Sequence, residues 1–422
     1  MSRSRGAVVE ANAAPRPRGF SVGPARMQAE SADDFDVVIL GGGPAGCATA
    51  LALARLGMSR VLVVEAGRYE AVRIGESIPP DIRVVLDELG VCEEFLKQDQ
   101  EPCLGSCSSW GADALGYNDF LFNPLGNGWH LDRRRFDAFL AREVAERGSV
   151  LCTGTRFDTC ERIDGGGFRL RLSKDDKQTR MVGARFVVDA TGMRSCFARS
   201  MGAGRLFLDQ LLCVTGFFEL PSSANFSKLT MLEAVEYGWW YAAKLPNRRL
   251  AVAVASDPEI IKQNALRRRD DWLDRLTRTN HISEELAGCR FVEDSQMTCA
   301  APSFLLDKVA GDGWLAVGDA ASAYDPISSQ GIHKALSDGA RAGGAIAACL
   351  GGSDVSLDEY QISVASRFQQ YLENRNFFYG LEQRWPTSSF WTRRQARTHP
   401  RVAPRAAPST HSRAAATAGW RS

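Results

Sequence analysis

The chain has 422 residues, 45% of them hydrophobic and 24% charged, which is the balance of a globular protein with two or three domain-sized cores. Its formal net charge of +1 provides no electrostatic argument for nucleic acid or an anionic membrane as the main partner, and we expect no nucleic-acid partner. Since no apolar run reaches the roughly 18 residues that span a bilayer, we expect no transmembrane segment.

Both ends of the chain lack apolar periodicity. Residues 1–34 are rich in Arg, Ala, Pro and Gly and predict a disordered N-terminal tail, with a transit peptide or a true start at Met27 as alternatives. Residues 396–422 contain five arginines and no acidic residue, and predict a disordered basic tail. The 11 cysteines are scattered and odd in number, which favours a reduced, cytoplasmic protein without a disulfide framework or a metal site.

The stretch from Phe35 to Gly67 predicts a strand, a glycine turn, a helix and a second strand. The G-x-G-x-x-G spacing allows a tight turn, close approach of the backbone to a pyrophosphate, and close helix–strand packing. An acidic residue at the end of the second strand suits ribose hydroxyls, so the unit predicts one dinucleotide site. The residues expected to form this site are Gly41, Gly43, Pro44, Ala45, Gly46, Glu65 and Ala66.

Three later segments complete the pattern around this unit. The glycine triplet in IDGGGFRLRL, 163–172, lies between alternating runs and predicts a hairpin turn, not a second phosphate loop. Two buried strands then end in Asp189-Ala-Thr-Gly192 and in Gly318-Asp319. Because open α/β sheets bind ligands at the carboxyl ends of parallel strands, we expect Gly318 and Asp319 at the dinucleotide site.

The segment DPISSQGI, Asp325 to Ile332, precedes an Ala- and Gly-rich helix. Proline fixes the backbone, glycine permits close approach, and the first N–H groups of a helix point outward as donors. The segment predicts either a helix mouth that faces an electron-rich ligand edge or a structural turn. Strand-like runs at 211–220, 232–246 and 249–256 predict a sheet that covers this mouth.

In this order, the motifs resemble the FAD-binding fold of p-hydroxybenzoate hydroxylase, geranylgeranyl reductases and flavin-dependent halogenases, over roughly residues 35–395. The resemblance implies FAD as the cofactor, with the glycine turn and Glu65 on its ADP half and Asp319 on the ribitol or pyrophosphate. Pro326 would flank the isoalloxazine ring, and N–H groups near Gly331 and Ile332 would face its pyrimidine edge. Arg133 would approach the cofactor, with a surface position as the alternative.

The resemblance also implies the fold class, which is α/β. We expect a Rossmann-like FAD-binding domain of the glutathione reductase type, with an inserted α+β substrate domain dominated by an antiparallel sheet. The expected parts are residues 35–80, 130–200 and 300–352 for the FAD-binding domain, 81–129 and 201–299 for the substrate domain, and 353–395 for a C-terminal helical segment.

Motifs within this fold separate its subgroups. GESIPP, Gly75 to Pro80, is similar to the flavin loop of halogenase-like proteins, but three departures disfavour halogenation. Ser106 lies near the position of the halogenase lysine, Tyr241 to Pro246 lacks both tryptophans of W-x-W-x-I-P, and Ser328 replaces the glutamate of E-S-T-G. The segments GWWYAAKLP, GWHLDRRRFD and EQRWPTSSFWTRR instead resemble flavoproteins that mature quinone-cofactor oxidases by oxidising a tryptophan of a partner protein towards tryptophylquinone.

The resulting hypothesis is an FAD-dependent monooxygenase of an electron-rich aromatic substrate, either a small molecule or a peptidyl tryptophan. The candidate catalytic residues are His333, Ser328 and Ser329, with a structural role as the alternative for His333, and with Glu76 and Asp325 as weaker candidates. Alternative functions are a reductase or dehydrogenase of a lipid or alkene, a halogenase, and a non-catalytic binding protein of the Rab-GDI type.

Two further questions stay open in the sequence. Hydroxylases that take NAD(P)H directly usually have a D-G motif where this chain has Asp189-Ala-Thr-Gly192, so the electron donor is either NAD(P)H or a separate flavin reductase. Trp239, Trp240 and Tyr241 either line a substrate cavity or fill the core. The late aromatic residues around Trp391 either form a docking patch or lid, or are buried against the FAD-binding domain.

Overall fold

The computed structural model describes residues 34–222, 226–353 and 355–395. The two predicted tails lie outside the described residues, except that Asp34 already belongs to the first strand. The strands, in chain order, are β1 (Asp34–Leu40), β2 (Val61–Val64), β3 (Ser77–Ile78), β4 (Glu101–Cys103), β5 (Gly105–Ser109), β6 (Gly116–Asp119), β7 (Gly128–His130), β8 (Val150–Cys152), β9 (Thr155–Arg162), β10 (Phe168–Lys174), β11 (Thr179–Asp189), β12 (Arg205–Phe207), β13 (Leu212–Glu219), β14 (Leu229–Val235), β15 (Gly238–Leu245), β16 (Arg249–Ser256), β17 (Arg290–Phe291), β18 (Met297–Ala300), β19 (Phe304–Leu306), β20 (Ala310–Gly311), β21 (Trp314–Ala316) and β22 (Ser322–Ala323).

The helices connect and cover these strands. The α-helices are α1 (Pro44–Arg55), α2 (Ile82–Glu88), α3 (Cys92–Leu96), α4 (Arg133–Glu146), α5 (Cys196–Ser200), α6 (Pro258–Gln263), α7 (Arg269–Leu276), α8 (Ile282–Glu285), α9 (Gly331–Leu350), α10 (Ser356–Leu381) and α11 (Ser389–Gln395). Among the helices of the described segments, none is long and apolar enough to cross a membrane.

The first sheet has a parallel centre in the order β21-β11-β1-β2-β8. The central strands β1 and β2 carry buried runs of Val, Ile and Leu, as expected for strands covered on both faces. In the register, Leu40 lies beside both Val64 and Asp189, and Asp189 lies beside Ala316. The loops that follow four of these strands therefore meet at one edge of the sheet.

The predicted hairpin is confirmed on the side of this sheet. Strands β9 and β10 pair antiparallel around the glycine triplet, and β10 continues the pairing onto β11. Gly165, Gly166 and Gly167 all have positive φ angles, which explains why the turn needs glycine. The triplet lies in a turn and not at the start of a helix.

Helices α1 and α9 pack side by side against the first sheet. A Cβ atom on Gly339 would lie 2.6 Å from the carbonyl oxygen of Ala45, and one on Gly343 would lie 2.5 Å from the Cβ of Ala52. Glycine therefore allows the two backbones to approach closely. Since later residues of α9 meet later residues of α1, the two helices run parallel and their N-termini point the same way.

The second sheet has the order β17-β13-β16-β15-β14-β5-β6, with β18 also paired to β13. It is antiparallel except for the parallel pair of β14 and β5. Two of the three predicted runs, 211–220 and 249–256, are confirmed as β13 and β16. The third run, 232–246, contains a turn and divides into the end of β14 and the whole of β15. Alternation along β15 gives the sheet two apolar faces, because Trp240 packs on Trp272 of α7 while Trp239 lies in a separate cluster with Tyr379 of α10.

The packing divides the chain differently from the predicted domain boundaries. Within the predicted substrate segment 81–129, helices α2 and α3 belong to the main core under the first sheet, whereas β5 and β6 extend the second sheet. Helix α10 connects the two cores, since Phe368 and Leu372 lie in the main core and Tyr379 lies in the cluster under the second sheet. The 11 cysteines are all free thiols.

Candidate active site

The glycine turn after β1 is built by two close approaches. Gly41 has a φ of +112°, and a Cβ there would lie 2.1 Å from the carbonyl oxygen of Ala190. A Cβ on Gly46 would lie 1.9 Å from the carbonyl oxygen of Gly41. Gly43 differs, because a Cβ there would meet only the Arg73 guanidinium, at 3.8 Å. Gly43 caps α1, and Pro44 is its first residue, so the N-terminus of α1 faces open space suited to a pyrophosphate.

Glu65 lies at the end of β2 and is buried beside this turn. Its carboxylate accepts hydrogen bonds from the Gly42 N–H at 2.7 Å and from the Gly67 N–H at 2.8 Å. Tyr69 donates its hydroxyl to the Gly42 carbonyl oxygen at 2.9 Å. Each carboxylate oxygen has a second lone pair, so Glu65 can fix the turn and still accept a ribose hydroxyl. Ala66, which follows it, is exposed.

Two arginines flank the turn and share one carboxylate. Asp132 caps α4 and places Arg133 at its first position, where Arg133 pairs with buried Asp137 at 3.1 Å and donates to the Ile74 carbonyl oxygen at 2.7 Å. Arg73 lies 3.4 Å from Asp137 and 3.5 Å from Glu65, with its side chain 37% exposed. Arg133 therefore holds the loop at residue 74, while Arg73 faces the N-terminus of α1.

Gly318 and Asp319 follow β21 on the same edge. Gly318 has a positive φ, and a Cβ there would lie 2.6 Å from the Cβ of Ala45 at the start of α1. This contact places the partly exposed carboxylate of Asp319 beside the glycine turn. Lys334 of α9 lies 3.3 Å from Asp319, and its ammonium also donates to the Ser322 carbonyl oxygen.

The segment from Pro326 to Gly331 forms the mouth of α9. Asp325 caps a short 3-10 turn by accepting the Ile327 N–H at 3.0 Å, and Ser328 donates its hydroxyl to the Asp325 carbonyl oxygen at 3.0 Å. Ser329 adopts a left-handed conformation with a φ of 49°. The bond from the Lys334 N–H to the Gln330 carbonyl oxygen is the first of the helix, so the preceding N–H groups, from Gly331 to His333, point outward.

Helix α10 supports this mouth from behind. Tyr379 donates its hydroxyl to Asp325 at 2.8 Å, and the Asp325 N–H donates to the Tyr371 hydroxyl at 2.8 Å. The Arg375 guanidinium lies 3.6 Å from Asp325 and 2.7 Å from Asp209. Burial raises the pKa of Asp325, although the Arg375 charge opposes this shift. The backbone in front of α9 is thus fixed by side chains that come some 50 residues later in the chain.

An aromatic cluster of the second sheet packs against the mouth. It contains Trp239, which is buried, and half-buried Tyr241 of β15, together with Ile327 of the mouth and Ile74 of the loop before β3. Trp239 donates its indole N–H to the Tyr379 hydroxyl at 3.1 Å. We call this cluster the aromatic wall. Of the three aromatic residues in GWWYAAKLP, Trp239 and Tyr241 form the wall and Trp240 fills the core on the other face.

The late aromatic residues close this cluster. Phe390 and Trp391 are fully buried, and Trp391 donates its indole N–H to the Val235 carbonyl oxygen at 3.0 Å. Trp110 stacks edge-on against Trp391, with ring centroids 5.3 Å apart. Two of the expectations for these residues need correction, because Trp391 is neither an exposed docking patch nor buried against the FAD-binding domain. Its side chain packs against the second sheet. The lid stays a prediction.

The structure thus brings most of the predicted site residues to one edge of the first sheet. The residues gathered there are Gly41, Gly43, Pro44, Ala45, Gly46, Glu65, Ala66, Arg133, Gly318, Asp319, Pro326, Ser328, Ser329, Gly331 and Ile332. His333 lies in the same first turn of α9, but its ring nitrogen is 3.6 Å from the Asp81 carboxylate beside α2. Burial lowers the pKa of His333, while Asp81 opposes this shift.

Sequence reasoning missed several residues of this site. Arg73, Asp137, Arg375 and Tyr379 received no role, and Glu76 received a weak one. An arginine three residues before Glu76 is a local signal that could have indicated Arg73. Asp137 lies four residues after Arg133 on α4, and this ion-pair spacing is a second local signal. Arg375 and Tyr379 have no such signal, since their partner Asp325 is distant in sequence.

Known proteins resemble this chain in sequence and fold. A family model described as an FAD binding domain matches residues 34–375. The LodB protein of Marinomonas mediterranea, named as an FAD-dependent oxidoreductase, is 30% identical over 365 residues, covering 86% of this chain and 98% of LodB. The myxobacterial chondrochloren halogenase CndH has the same fold, with a TM-score of 0.79, 24% identity and 86% of each chain covered.

A third relative is the peptidyl tryptophan dihydroxylase QhpG, described as essential for tryptophylquinone cofactor biogenesis. Its structure aligns with a TM-score of 0.69 and 26% identity, covering 86% of this chain and 79% of QhpG. The chain therefore belongs to the FAD-binding family that includes aromatic hydroxylases and halogenase-like enzymes, and it is an FAD-dependent oxidoreductase. The residues present fit the cofactor, because space is open in front of Gly43 and the Arg73 guanidinium borders it.

Proposed function

We propose that this enzyme is a monooxygenase that hydroxylates an electron-rich aromatic ring, with a tryptophan side chain of a partner protein as the preferred substrate. The observation that carries the proposal is the aromatic wall, in which Trp239 and Tyr241 share one cluster with Ile327 of the helix mouth. A wall of this kind suits a planar apolar ring held over a cofactor and excludes water from it.

When bound, FAD supplies the activation of oxygen in its reduced form. The N-terminus of α1 and Arg73 would bind its pyrophosphate, and Glu65 would bind ribose. The free N–H groups at the start of α9 would stabilise negative charge on the pyrimidine edge of the ring. Pro326 would flank the ring, and the hydrogen bonds of Asp325 keep this backbone in place.

The choice of hydroxylation over halogenation rests on side chains of this chain. A serine, Ser106, stands where the halogenase lysine is expected, and Ser328 uses its hydroxyl to hold the mouth. A neutral serine supplies neither the ammonium nor the carboxylate of those positions. The similarity to the peptidyl tryptophan dihydroxylase QhpG supports a peptidyl substrate. The electron donor, NAD(P)H or a separate flavin reductase, and a cytoplasmic location stay part of the proposal.

The test is product analysis under labelled oxygen. FAD-loaded protein would receive reduced flavin from an added reductase, in buffer containing chloride and bromide, together with tryptophan-containing peptides or free tryptophan. We expect a peptide product that carries oxygen from labelled O2, and little product from free tryptophan, because remote binding energy is missing there. Halogenated peptide, or reduction of an alkene without oxygen uptake, would contradict the proposal.

A further inference from the structure

A cavity of about 220 Å³ lies at the turn between β14 and β15, apart from the cofactor site. Four parts of the chain form it: the end of β5 with the loop that follows, the β14–β15 turn, the end of α7 with the loop that follows, and the segment after α10. We call it the turn cavity. The side chains that decide its chemistry are Glu233, Tyr237, Arg275, Arg278, Arg384 and Trp385.

Two acidic side chains of the turn cavity already have partners within the protein. Buried Glu233 accepts the backbone N–H groups of residues 280, 281 and 282 at 2.6, 3.0 and 3.1 Å. Asp113 pairs with Arg384 at 2.7 Å, and Arg384 also pairs with buried Glu382 at 2.6 Å. These contacts fix the walls of the cavity and use the charges of both carboxylates.

Arg275 is different, because it forms no ion pair with any carboxylate in the part of the chain that the structure describes. Its guanidinium lies 5.4 Å from the ring centroid of Tyr237, whereas Arg278 pairs with Asp274 at 2.8 Å. A guanidinium that stacks on a ring keeps its N–H edge free to donate, and a carboxylate is the acceptor that fits this edge best. Glu236 also borders the cavity, but it is exposed and its charge is screened by solvent.

An exposed apolar stripe lies at the end of α10, next to the turn cavity. Its members Phe377, Phe378 and Leu381 are 62%, 45% and 47% exposed, and Leu381 is three residues before Arg384 of the cavity. The loop after β5 joins the two features, because Trp110 donates its indole N–H to the Phe378 carbonyl oxygen at 2.7 Å. Three large apolar side chains exposed together are typical of a contact surface for another protein.

We propose that the turn cavity and the apolar stripe form a docking site for an acidic segment of the partner protein. A carboxylate side chain of that segment binds the Arg275 guanidinium, and apolar side chains beside it pack on the stripe. Charge complementarity selects this occupant, since Arg275 is the cavity cation without an anion. The identity of the partner rests on the proposed function, in which it carries the tryptophan substrate.

The position of the turn cavity relative to the aromatic wall sets a spacing in the partner. Tyr237 of the cavity and Tyr241 of the wall are four residues apart, with β15 between them, and an extended chain of that length spans about 13 Å. The partner therefore needs about four or more extended residues between its carboxylate and its tryptophan. A carboxylate directly beside the tryptophan cannot reach Arg275.

The first test needs no turnover and uses the purified FAD-loaded protein. Peptides labelled with a red dye contain one tryptophan, two leucines and, about four residues from the tryptophan, either glutamate or glutamine. Fluorescence anisotropy measures their Kd. We expect the glutamate peptide to bind about 10-fold more tightly than the glutamine peptide, and Arg275→Gln to abolish this difference.

The matched control is Arg278→Gln, because it removes the same charge from the same cavity at a guanidinium that is already paired with Asp274. It should retain the difference between the two peptides, and flavin absorbance should show full FAD content in both variants. Equal binding of the two peptides to the wild type, or an equal loss of the difference in both variants, would overturn the role of Arg275.

The stripe and the kind of occupant are tested in the same assay. Phe377→Ser should weaken binding of the glutamate peptide about 10-fold, whereas Phe122→Ser, at a phenylalanine that is 91% exposed in the loop after β6, should not. N-acetylglutamate at the concentration of the peptide should not displace it, since it cannot contact the stripe. Equal effects of the two substitutions would overturn the stripe, and displacement by N-acetylglutamate would overturn a polypeptide as the occupant.

The last test measures turnover of the glutamate peptide. Arg275→Gln should raise KM about 10-fold and leave kcat unchanged, because the docking site binds the substrate equally before and during the reaction. A lower kcat with an unchanged KM would overturn a docking role. If the wild type forms no oxygenated product, the proposed function fails, and the binding test still decides whether the docking site exists.

Discussion

The two halves of the site are encoded in different ways. The cofactor half consists of β1, α1 and β2, and its contacts join residues that are near in sequence, as when Gly46 packs on Gly41. The wall half joins residues far apart, as when Tyr379 reaches Asp325 and Trp391 reaches Val235. The spacing between residues that are near in the chain can be read from the sequence, whereas contacts between residues that are far apart in the chain cannot. The difference predicts that substitutions in the two halves fail in different ways.

The largest effect is expected from Gly46→Ala. Its Cβ would lie 1.9 Å from the Gly41 carbonyl oxygen, so the backbone must shift, and we expect a loss of more than about 4 kcal/mol of stability. Gly43→Ala is the matched control, because its Cβ meets nothing closer than 3.8 Å. That variant should fold normally, and Gly43→Val should fold but lose FAD. Thermal unfolding and flavin absorbance measure the two outcomes, and equal stability of Gly46→Ala and Gly43→Ala would contradict them.

The next effect distinguishes buried Arg375 from partly exposed Arg73. Arg375→Met leaves buried Asp325 and half-buried Asp209 without this cation, which should cost about 3–5 kcal/mol of unfolding free energy. Arg73→Met removes a partly exposed side chain and should change stability by less than about 1 kcal/mol. It should instead weaken FAD binding, as measured by flavin titration. Unchanged FAD affinity in Arg73→Met would remove Arg73 from the pyrophosphate site.

A third effect concerns pH. The folded pKa of Glu76 is raised from 4.5 to about 7, so its contribution to stability is present below pH 4.5 and is lost as pH rises through 7. The folded pKa of His130 is lowered from 6.5 to about 4, so its contribution is lost as pH falls through that range. In Glu76→Gln the Glu76 dependence is removed, whereas those of His130, His333 and Asp325 remain as in the wild type. Relative to wild type, the variant should gain up to about 3 kcal/mol between pH 4.5 and 7.

Denaturant unfolding at several pH values measures this difference. The exposed Glu88→Gln is the control and should follow the wild-type curve. A stability difference between Glu76→Gln and wild type that is constant with pH would show that Glu76 is not perturbed by its surroundings.

The smallest effect is expected at His333. Its contact with the exposed carboxylate of Asp81, at 3.6 Å, is a weak surface pair, and His333→Gln should change stability by less than about 1 kcal/mol. We expect the turnover of the peptide substrate to change little as well, because the ring is directed to α2. A loss of about 100-fold in turnover with full FAD content would instead support His333 as the proton donor.

The secondary-structure elements of the cofactor half could be predicted almost completely from the sequence. The strand, glycine turn and helix, and the hairpin at the glycine triplet, were predicted from periodicity and spacing. Three strand-like runs were predicted for the wall sheet, and the structure divides one of them into β14 and β15. The wall half was predicted only as a set of strands. Helices α2 and α3 were assigned to the wrong side of the packing, because an amphipathic helix does not specify which core it joins. The perturbed environment of Glu76 likewise arises from β13, β15 and α4 together, and no local pattern contains it.

The parallel packing of α1 and α9 has a consequence for which flavin the protein accepts. Gly339, eight residues after the start of α9, lies opposite Ala45, one residue after the start of α1, so the start of α9 projects about 10 Å beyond the start of α1. The two donor-rich helix ends are held at a fixed distance. If they bind the cofactor as proposed, a flavin with a dinucleotide tail would reach both ends, whereas a mononucleotide would reach one. Moving the contacting glycines by one helical turn would change the offset between the N-termini of α1 and α9 by about 5.4 Å, without altering any group proposed to bind the cofactor.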